Sequence, residues 1–445
     1  MIDRDVFGEA VARYLPQQRW FAGDRHALAR VEITELEILQ EEWPILVWAI
    51  ATGELKDGSR TDYQILAGVR PLGPLPFLEG VPTALMGEVP TERGPGLAYN
   101  ALHDIELARV LLTRLAPDED ATYVRQLGAE VATSILVFDE RLLLRIFRRL
   151  RDAPNPDVET VRALAGVGFR HVASPIAGWR RGDVDLAVLR EFVAGGAEGW
   201  QLALTSLRDL ADRATPPDQA PGDFGPEIRR MGAVTARLHA ALAQAFDERP
   251  ADAGRWAARL IARLEAVESE PGIDGNRVRE VAERMRSVAD PGRAIRIHGD
   301  YQLRRVMRTD QGWYVLGFEG ERPRSIESAI RFTTPLEDLA SMLRSLEYAG
   351  ATILRERADD VASDRLPAVA AAWEAWNGRS FLDGYLKEGV AGGLLPGDES
   401  ERAFLLSAFE LLHALRELHR ERDGRLPLRD VAIPAVNRLL DRIGV

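Results

Sequence analysis

The sequence predicts a mixed α/β (α+β) chain, strand-rich up to Phe192 and mostly helical beyond Trp200. Three observations predict it. Short apolar or alternating runs bounded by turn residues recur from Val31 to Phe192. Apolar residues at three- and four-residue spacing, such as Met231, Val234, Leu238 and Leu242, dominate the second half. Within that half, Arg296–Arg322 (RIHGDYQLRRVMRTDQGWYVLGFEGER) stands apart as two strand–loop units.

In chain order, Asp5–Leu15 has helical spacing and runs into Leu15-Pro16-Gln17-Gln18-Arg19-Trp20-Phe21-Ala22-Gly23, whose Trp-Phe pair reads as core. Strand candidates follow at Val31–Leu39, Pro44–Ala51 and Thr61–Val69, separated by turn-rich stretches such as Lys56-Asp57-Gly58-Ser59. One helix and a small sheet form a cap over Met1–Val89, and Pro90–Leu97 (PTERGPGL) reads as a linker. Ala98–Ala116 reads as a helix ending before Pro117, and strands are expected at Thr122–Gly128, Thr133–Phe138 and Leu142–Phe147. A helix opens at Asn155-Pro156-Asp157-Val158-Glu159, with proline early and acids in its first turn. Strands Val172–Ala177 and Asp185–Phe192 lead to Val193-Ala194-Gly195-Gly196. Helices are then expected at Asp223–Ala245, Ala251–Ser269, Gly275–Ser287, Pro335–Ala349, Ala368–Leu386, Glu399–Arg420 and Asp430–Ile443. The expected domains are 1–97, 98–195 and 196–445.

The apolar run Ala294, Ile295, Ile297 delivers His298-Gly299-Asp300 into a loop, and Trp313–Leu316 delivers Gly317-Phe318-Glu319-Gly320-Glu321. These loops resemble the HGDYHLGQ and DFEGEP motifs of the maltokinases, sugar kinases of the aminoglycoside-phosphotransferase type. LPQQRWFAG resembles the family's LPRQRWFAGK, LLLRIFRRL (Leu142–Leu150) its LILKVFRRL, and PLEDLASMLRSLEYA (Pro335–Ala349) its SPLRDVAGMLRSFDYA. The resemblance implies a bilobal protein-kinase-like fold: a β-rich cap, an N-lobe ending in a hinge at Val193–Gly196, and a large, mostly helical C-lobe carrying 296–322. It places Asp300 at the catalytic base, Arg145 at the nucleotide-phosphate lysine and Glu159 as that residue's partner. Asp338 is implied to tie its helix to the catalytic loop, and His239 reads as a packed core histidine.

Other working positions depart from the pattern. The metal-binding Asp is Gly317, the amide ligand after the base is Arg305, and Gln302 and Arg304 replace a His and a Gly. The polar phosphate-covering stretch EQSNTS becomes Glu130-Val131-Ala132-Thr133-Ser134-Ile135, and of the run that carries sugar contacts only Arg416 and a few neighbours match. Glycine supplies no side-chain oxygen and arginine only donors, whereas Mg²⁺ requires oxygen ligands. A guanidinium about 4 Å from a divalent ion repels it by roughly 8 kcal/mol at an effective dielectric near 20. The expected reading is a maltokinase-like pseudokinase that has lost its Mg²⁺ site, with Arg145, Arg304 and Arg305 presenting a metal-free anion site in the interlobe cleft to a nucleotide or sugar phosphate. Three alternatives stand beside it. The arginines pair with Glu319 or Glu321; the chain is an active ATP-dependent sugar kinase, maltose its first candidate, using Glu319 or Glu321 for the metal; or it performs another nucleotide transfer. Family members act beside trehalose synthase, so that or a related sugar-metabolising enzyme is the expected protein partner.

Composition bounds these readings. The 445 residues, 46% hydrophobic and 28% charged, are those of a globular chain able to bury a core. The net charge of −12 disfavours nucleic acid and anionic membranes. There is no cysteine, which excludes disulfides and thiolate metal sites, and no apolar run long enough to span a bilayer; cytoplasm is the expected location. The 57 basic residues include only two lysines, Lys56 and Lys387, so few groups can supply an ammonium.

Overall fold

In the computed structural model, which describes residues 2–24, 26–127, 133–213, 215–267, 269–319, 331–358, 363–389, 391–421 and 429–445, the chain forms two compact units. The first comprises Met1–Glu159 and Ala173–Ala194, the second Thr160–Val172 and Gly195–Val445.

The first unit begins with α1 (Arg4–Tyr14), capped by Asp3, whose carboxylate accepts from the N–H groups of Asp5 and Val6. Strands β1 (Leu28–Gln40), β2 (Ile45–Leu55), β3 (Arg60–Pro71), β4 (Leu85–Thr91) and β5 (Gly94–Asn100) form an antiparallel sheet in the order β1-β2-β3-β5-β4. The stretch read as a linker, Pro90–Leu97, is thus the turn and flanks of a β4–β5 hairpin. The helix read from Ala98 starts later, as α2 (Ile105–Leu115), because Ala98–Asn100 pair with β3 and Asp104 supplies the N-cap. A second antiparallel sheet takes the order β6-β7-β8-β10-β9 from β6 (Val124–Leu127), β7 (Thr133–Phe138), β8 (Leu142–Phe147), β9 (Pro175–Arg181) and β10 (Val184–Glu191).

These two sheets share a core in which Trp48, Leu66 and Tyr99 meet Leu107, Leu111, Leu136, Leu144 and Leu189. Main-chain bonds reinforce it: Gln64 donates to the Arg148 carbonyl at 2.9 Å and Leu150 to that of Asp62 at 2.8 Å. Arg148 itself is fully buried, donating to Ser134 Oγ and Asn100 Oδ1 at 2.9 Å each, with its guanidinium 5.4 Å from the Trp20 ring centre. Its partners are neutral, and burial lowers its affinity for the proton.

Helix α3 (Pro156–Gly166) contributes its first turn to the first unit and the rest to the second. The second unit adds α4 (Gly199–Ala211), α5 (Gly225–Phe246), α6 (Ala253–Val267), α7 (Gly275–Arg286), α8 (Leu336–Glu356), α9 (Leu366–Glu388), α10 (Glu399–Glu421) and α11 (Arg429–Ile443). Two three-stranded sheets sit among them. One is β11 (Ala197–Glu198), β14 (Val306–Thr309) and β15 (Gly312–Val315); the other is β12 (Arg249–Pro250), β13 (Arg293–Arg296) and β16 (Phe332–Thr333). Helices α5 and α9 touch backbone to backbone at Gly232 and Gly384, where a β-carbon would fall 2.1 Å from the Phe381 carbonyl oxygen and 1.9 Å from that of Arg229. No helix among the described residues is long and apolar enough to cross a membrane.

A charge network links the last four helices. On α8, Arg344 pairs with Glu347 and with Glu417 of α10 at 2.6 Å, and the Tyr348 hydroxyl donates to Glu417 at 2.7 Å. From α11, Arg438 reaches Glu347 at 2.7 Å and Arg442 reaches Glu410 at 3.1 Å. Burial pushes the carboxyls of Glu410 and of Glu374 on α9 up to about 7, the nearby arginines opposing it. The folded chain therefore holds protons that the unfolded chain has released, and stability from these groups falls as pH rises from about 4.5 through 7. Glu374→Gln combined with Glu410→Gln should remove that fall. Urea unfolding of variant and parent at about pH 5.5 and about pH 8 should show the variant gaining about 2–3 kcal/mol more at the higher pH. An equal difference at both pH values would place the titration elsewhere.

Candidate active site

The loop after β13 is held from beneath by α8. Asp338, almost completely buried, accepts from the N–H of His298 at 2.8 Å and of Gly299 at 2.9 Å. Its Oδ2 also lies 3.2 Å from His239 Nε2, while His239 Nδ1 is 2.9 Å from the Tyr385 hydroxyl. His239 is thus a core histidine and Asp338 the tie expected from sequence. Two turns on, Ser345 Oγ accepts from the N–H of Leu303 at 3.1 Å, and the Tyr301 hydroxyl meets Thr235 Oγ1 at 2.8 Å.

The second loop is joined to the first although β13 and β15 belong to different sheets. His298 Nδ1 accepts from the Asp300 N–H at 3.2 Å, so the ring proton resides on Nε2 and is donated to the Leu316 carbonyl at 3.0 Å. Burial lowers the proton affinity of this ring and keeps it neutral. The ring also packs 4.8 Å from Phe318. The main chain of Arg305 makes a further link, its carbonyl accepting from the Leu316 N–H at 2.8 Å.

That link sets the Arg305 side chain beside both loops. Its Nε and Nη2 donate to the same oxygen of Asp300, Oδ2, at 3.0 and 2.8 Å, while Gln302 Nε2 donates to Oδ1 at 2.9 Å. Asp300 is nearly buried, and both its oxygens are engaged. Gly317 has a positive φ of 76°, and a β-carbon there would fall 2.9 Å from Arg305 Nη1. The guanidinium therefore takes the space into which a side chain at 317 would project. Of the two positions at which the resemblance expects Mg²⁺ ligands, 317 has no side chain and 305 carries a cation, so neither supplies a side-chain oxygen. Among the described residues, no group of three His, Asp or Glu side chains is arranged to hold a metal ion.

The other sequence-derived positions have partners of their own. Arg304 turns to Glu198 at 3.7 Å and stacks 4.3 Å over Trp200. Arg145 belongs to the first unit, where its Nη1 lies 3.2 Å from Asp157 Oδ2, an oxygen shared with Arg190 at 3.2 Å. Glu159 follows Asp157 by two residues on α3. Glu319 is half-buried two residues past Gly317. Glu321 and Glu130–Ala132 lie outside the described residues. Arg416 is buried on α10, where His413 Nε2 lies 3.1 Å from the Glu337 carbonyl. The sequence left Arg305 open between an anion site and a pair with Glu319 or Glu321 and did not point to Asp300 as its partner; the short turn Leu303–Arg305 brings residue 305 back beside residue 300. Asp157 stands two residues before Glu159 in the same acidic first turn, and the resemblance singles out only Glu159.

Removing the Asp338 carboxylate strands two buried N–H groups and His239. Asp338→Ala should cost about 3–5 kcal/mol in urea unfolding, and Asp338→Asn, which keeps one acceptor, about half of that. A loss below about 1 kcal/mol for the alanine variant would show that the loop is held by other means.

A family model described as the maltokinase N-terminal cap domain matches residues 14–104. A glucosamine kinase of Streptacidiphilus jiangxiensis is 31% identical over 245 residues, 52% of this chain and 54% of that protein. A glucosamine kinase of Mycolicibacterium smegmatis is 25% identical over 240 residues, 50% of this chain and 58% of its own length. The chain thus spans little more than half the length of these two relatives. Among solved structures, a glucosamine kinase in complex with glucosamine, ADP and inorganic phosphate matches with a TM-score of 0.66 at 22% identity, covering 99% of both chains, which shows a shared fold. Residues 14–104 thus match a maltokinase-type N-terminal cap, and the chain as a whole shares the fold of the solved glucosamine kinase.

Proposed function

We propose that this chain is a sugar-kinase-like pseudokinase, impaired in metal-dependent phosphoryl transfer from ATP and retained to bind a nucleotide or a sugar. The observation that carries the reading is the double donation of Arg305 to Asp300 over Gly317. A general base needs a carboxylate oxygen open to the substrate hydroxyl; Oδ2 of Asp300 already takes two donors and Oδ1 one. Phosphoryl transfer in this fold also depends on metal neutralising the phosphates, and a guanidinium lies beside Gly317, where the resemblance expects a metal ligand. Sugar and nucleotide remain the favoured ligand classes, because relatives are glucosamine kinases and one solved relative holds glucosamine and ADP. An amino sugar therefore joins maltose among the candidates.

The test is turnover. With labelled ATP, Mg²⁺ and either glucosamine or maltose, the parent chain should give no labelled sugar above a protein-free control. Arg305→Asn combined with Gly317→Asp should gain Mg²⁺-dependent product, by at least about 10²-fold over the parent, since it restores a ligand and frees the base. Gly317→Asp alone should not, because its carboxylate would pair with Arg305. Mg²⁺-dependent product from the parent would instead establish an active sugar kinase and turn attention to Glu319.

A further inference from the structure

We propose that Arg305 is a metal-independent seat for a phosphoryl group and that Asp300 is its built-in competitor, so that the anion must draw the guanidinium off the carboxylate to bind fully. The inference deepens the pseudokinase reading and rests on it for the identity of the two loops. It starts from how the guanidinium is used. Two of its three nitrogens, Nε and Nη2, converge on one oxygen of Asp300. The third, Nη1, has no hydrogen-bond partner among the described residues and points at the space over Gly317. The Arg305 side chain is 39% exposed, whereas that of Asp300 is 9% exposed. One partner of the pair is therefore reachable and mobile, and the other is fixed within the loop.

Both arrangements available to Arg305 are chemically sound. In the first, it neutralises Asp300, and Nη1 offers an incoming anion a single edge. In the second, it swings to the anion and presents a fork, the geometry in which arginine binds phosphate through two parallel N–H donors. Asp300 keeps the Gln302 amide on Oδ1 in either case and is not stranded. Gly317 is what permits the second arrangement: a side chain there would fill the space the phosphoryl oxygens need, within 2.9 Å of Nη1. Arg304 does not share the ligand, because it is held by Glu198 and by the face of Trp200. The ligand chemistry is a terminal phosphoryl group, whether carried by a nucleotide or by a sugar.

Calorimetric titration in EDTA with inorganic phosphate, ADP and a hexose monophosphate tests the idea on the full chain. Asp300→Asn should bind inorganic phosphate about tenfold more tightly than the parent, about 1.4 kcal/mol. Arg305→Gln should lose binding, and the combined variant should lose it equally, because the gain acts through Arg305. The preferred source of the phosphoryl group is the one of ADP and the hexose phosphate whose affinity rises most in Asp300→Asn. Circular dichroism of each variant, with Arg305→Lys as a charge-conserving control of intermediate affinity, separates loss of the site from loss of fold. A gain that survives in the combined variant would mean simple charge repulsion and overturn the competitor role, as would unchanged binding in Asp300→Asn. Because no turnover is measured, sugar-kinase activity in the parent would sink the pseudokinase reading without deciding this titration.

Discussion

Arg305 donates twice to Asp300 and, in doing so, takes the space that a longer residue at 317 would need. Three properties of the loop pair follow from that placement. The carboxylate is neutralised, the room for a metal ligand is gone, and one guanidinium edge is left facing outward. None requires the backbone to move. The His298–Leu316 and Leu316–Arg305 bonds that bring the loops together are independent of what Arg305 does with its head group.

Scaffold and chemistry are therefore separable in this region. Asp338, Ser345, His239 and Thr235 are buried and hydrogen-bonded, and they hold the first loop in position from helices α5 and α8. The cost of disturbing them falls on folding, since each loss strands buried donors. The residues that changed character, Gln302, Arg304, Arg305 and Gly317, lie on the more accessible side, where substitution alters charge and reach while leaving the support intact.

Much of the fold was legible because its patterns are local. Thr133–Phe138 and Leu142–Phe147 are short runs rich in apolar residues and form strands with those bounds. Misreadings came where a local signal was ambiguous. Leu97, Ala98 and Tyr99 suit a helix as well as a strand, and only pairing with β3 decides between them. Within the site, the tie that Asp338 makes to the first loop was readable from the resemblance of its helix to a maltokinase segment. The Arg305–Asp300 pair was not, because it depends on the rotamer of a long side chain and on the absence of a competing side chain at 317. The carboxylate-rich network of Glu347, Glu374, Glu410 and Glu417 was hidden for a related reason: its members come from three helices and look like solvent-facing charges one helix at a time.

The order in which the chain supplies its two units has a consequence during synthesis. The first unit is interrupted: β9 and β10, which complete its second sheet, arrive only after Thr160–Val172 has been made for the other unit. Val161, Leu164, Phe169 and Val172 on that excursion find their core partners among residues that follow Gly195. On the ribosome, the sheet can close before those four apolar side chains have anything to pack against. The nascent chain must therefore carry the apolar side chains of Thr160–Val172 uncovered until the helices emerge.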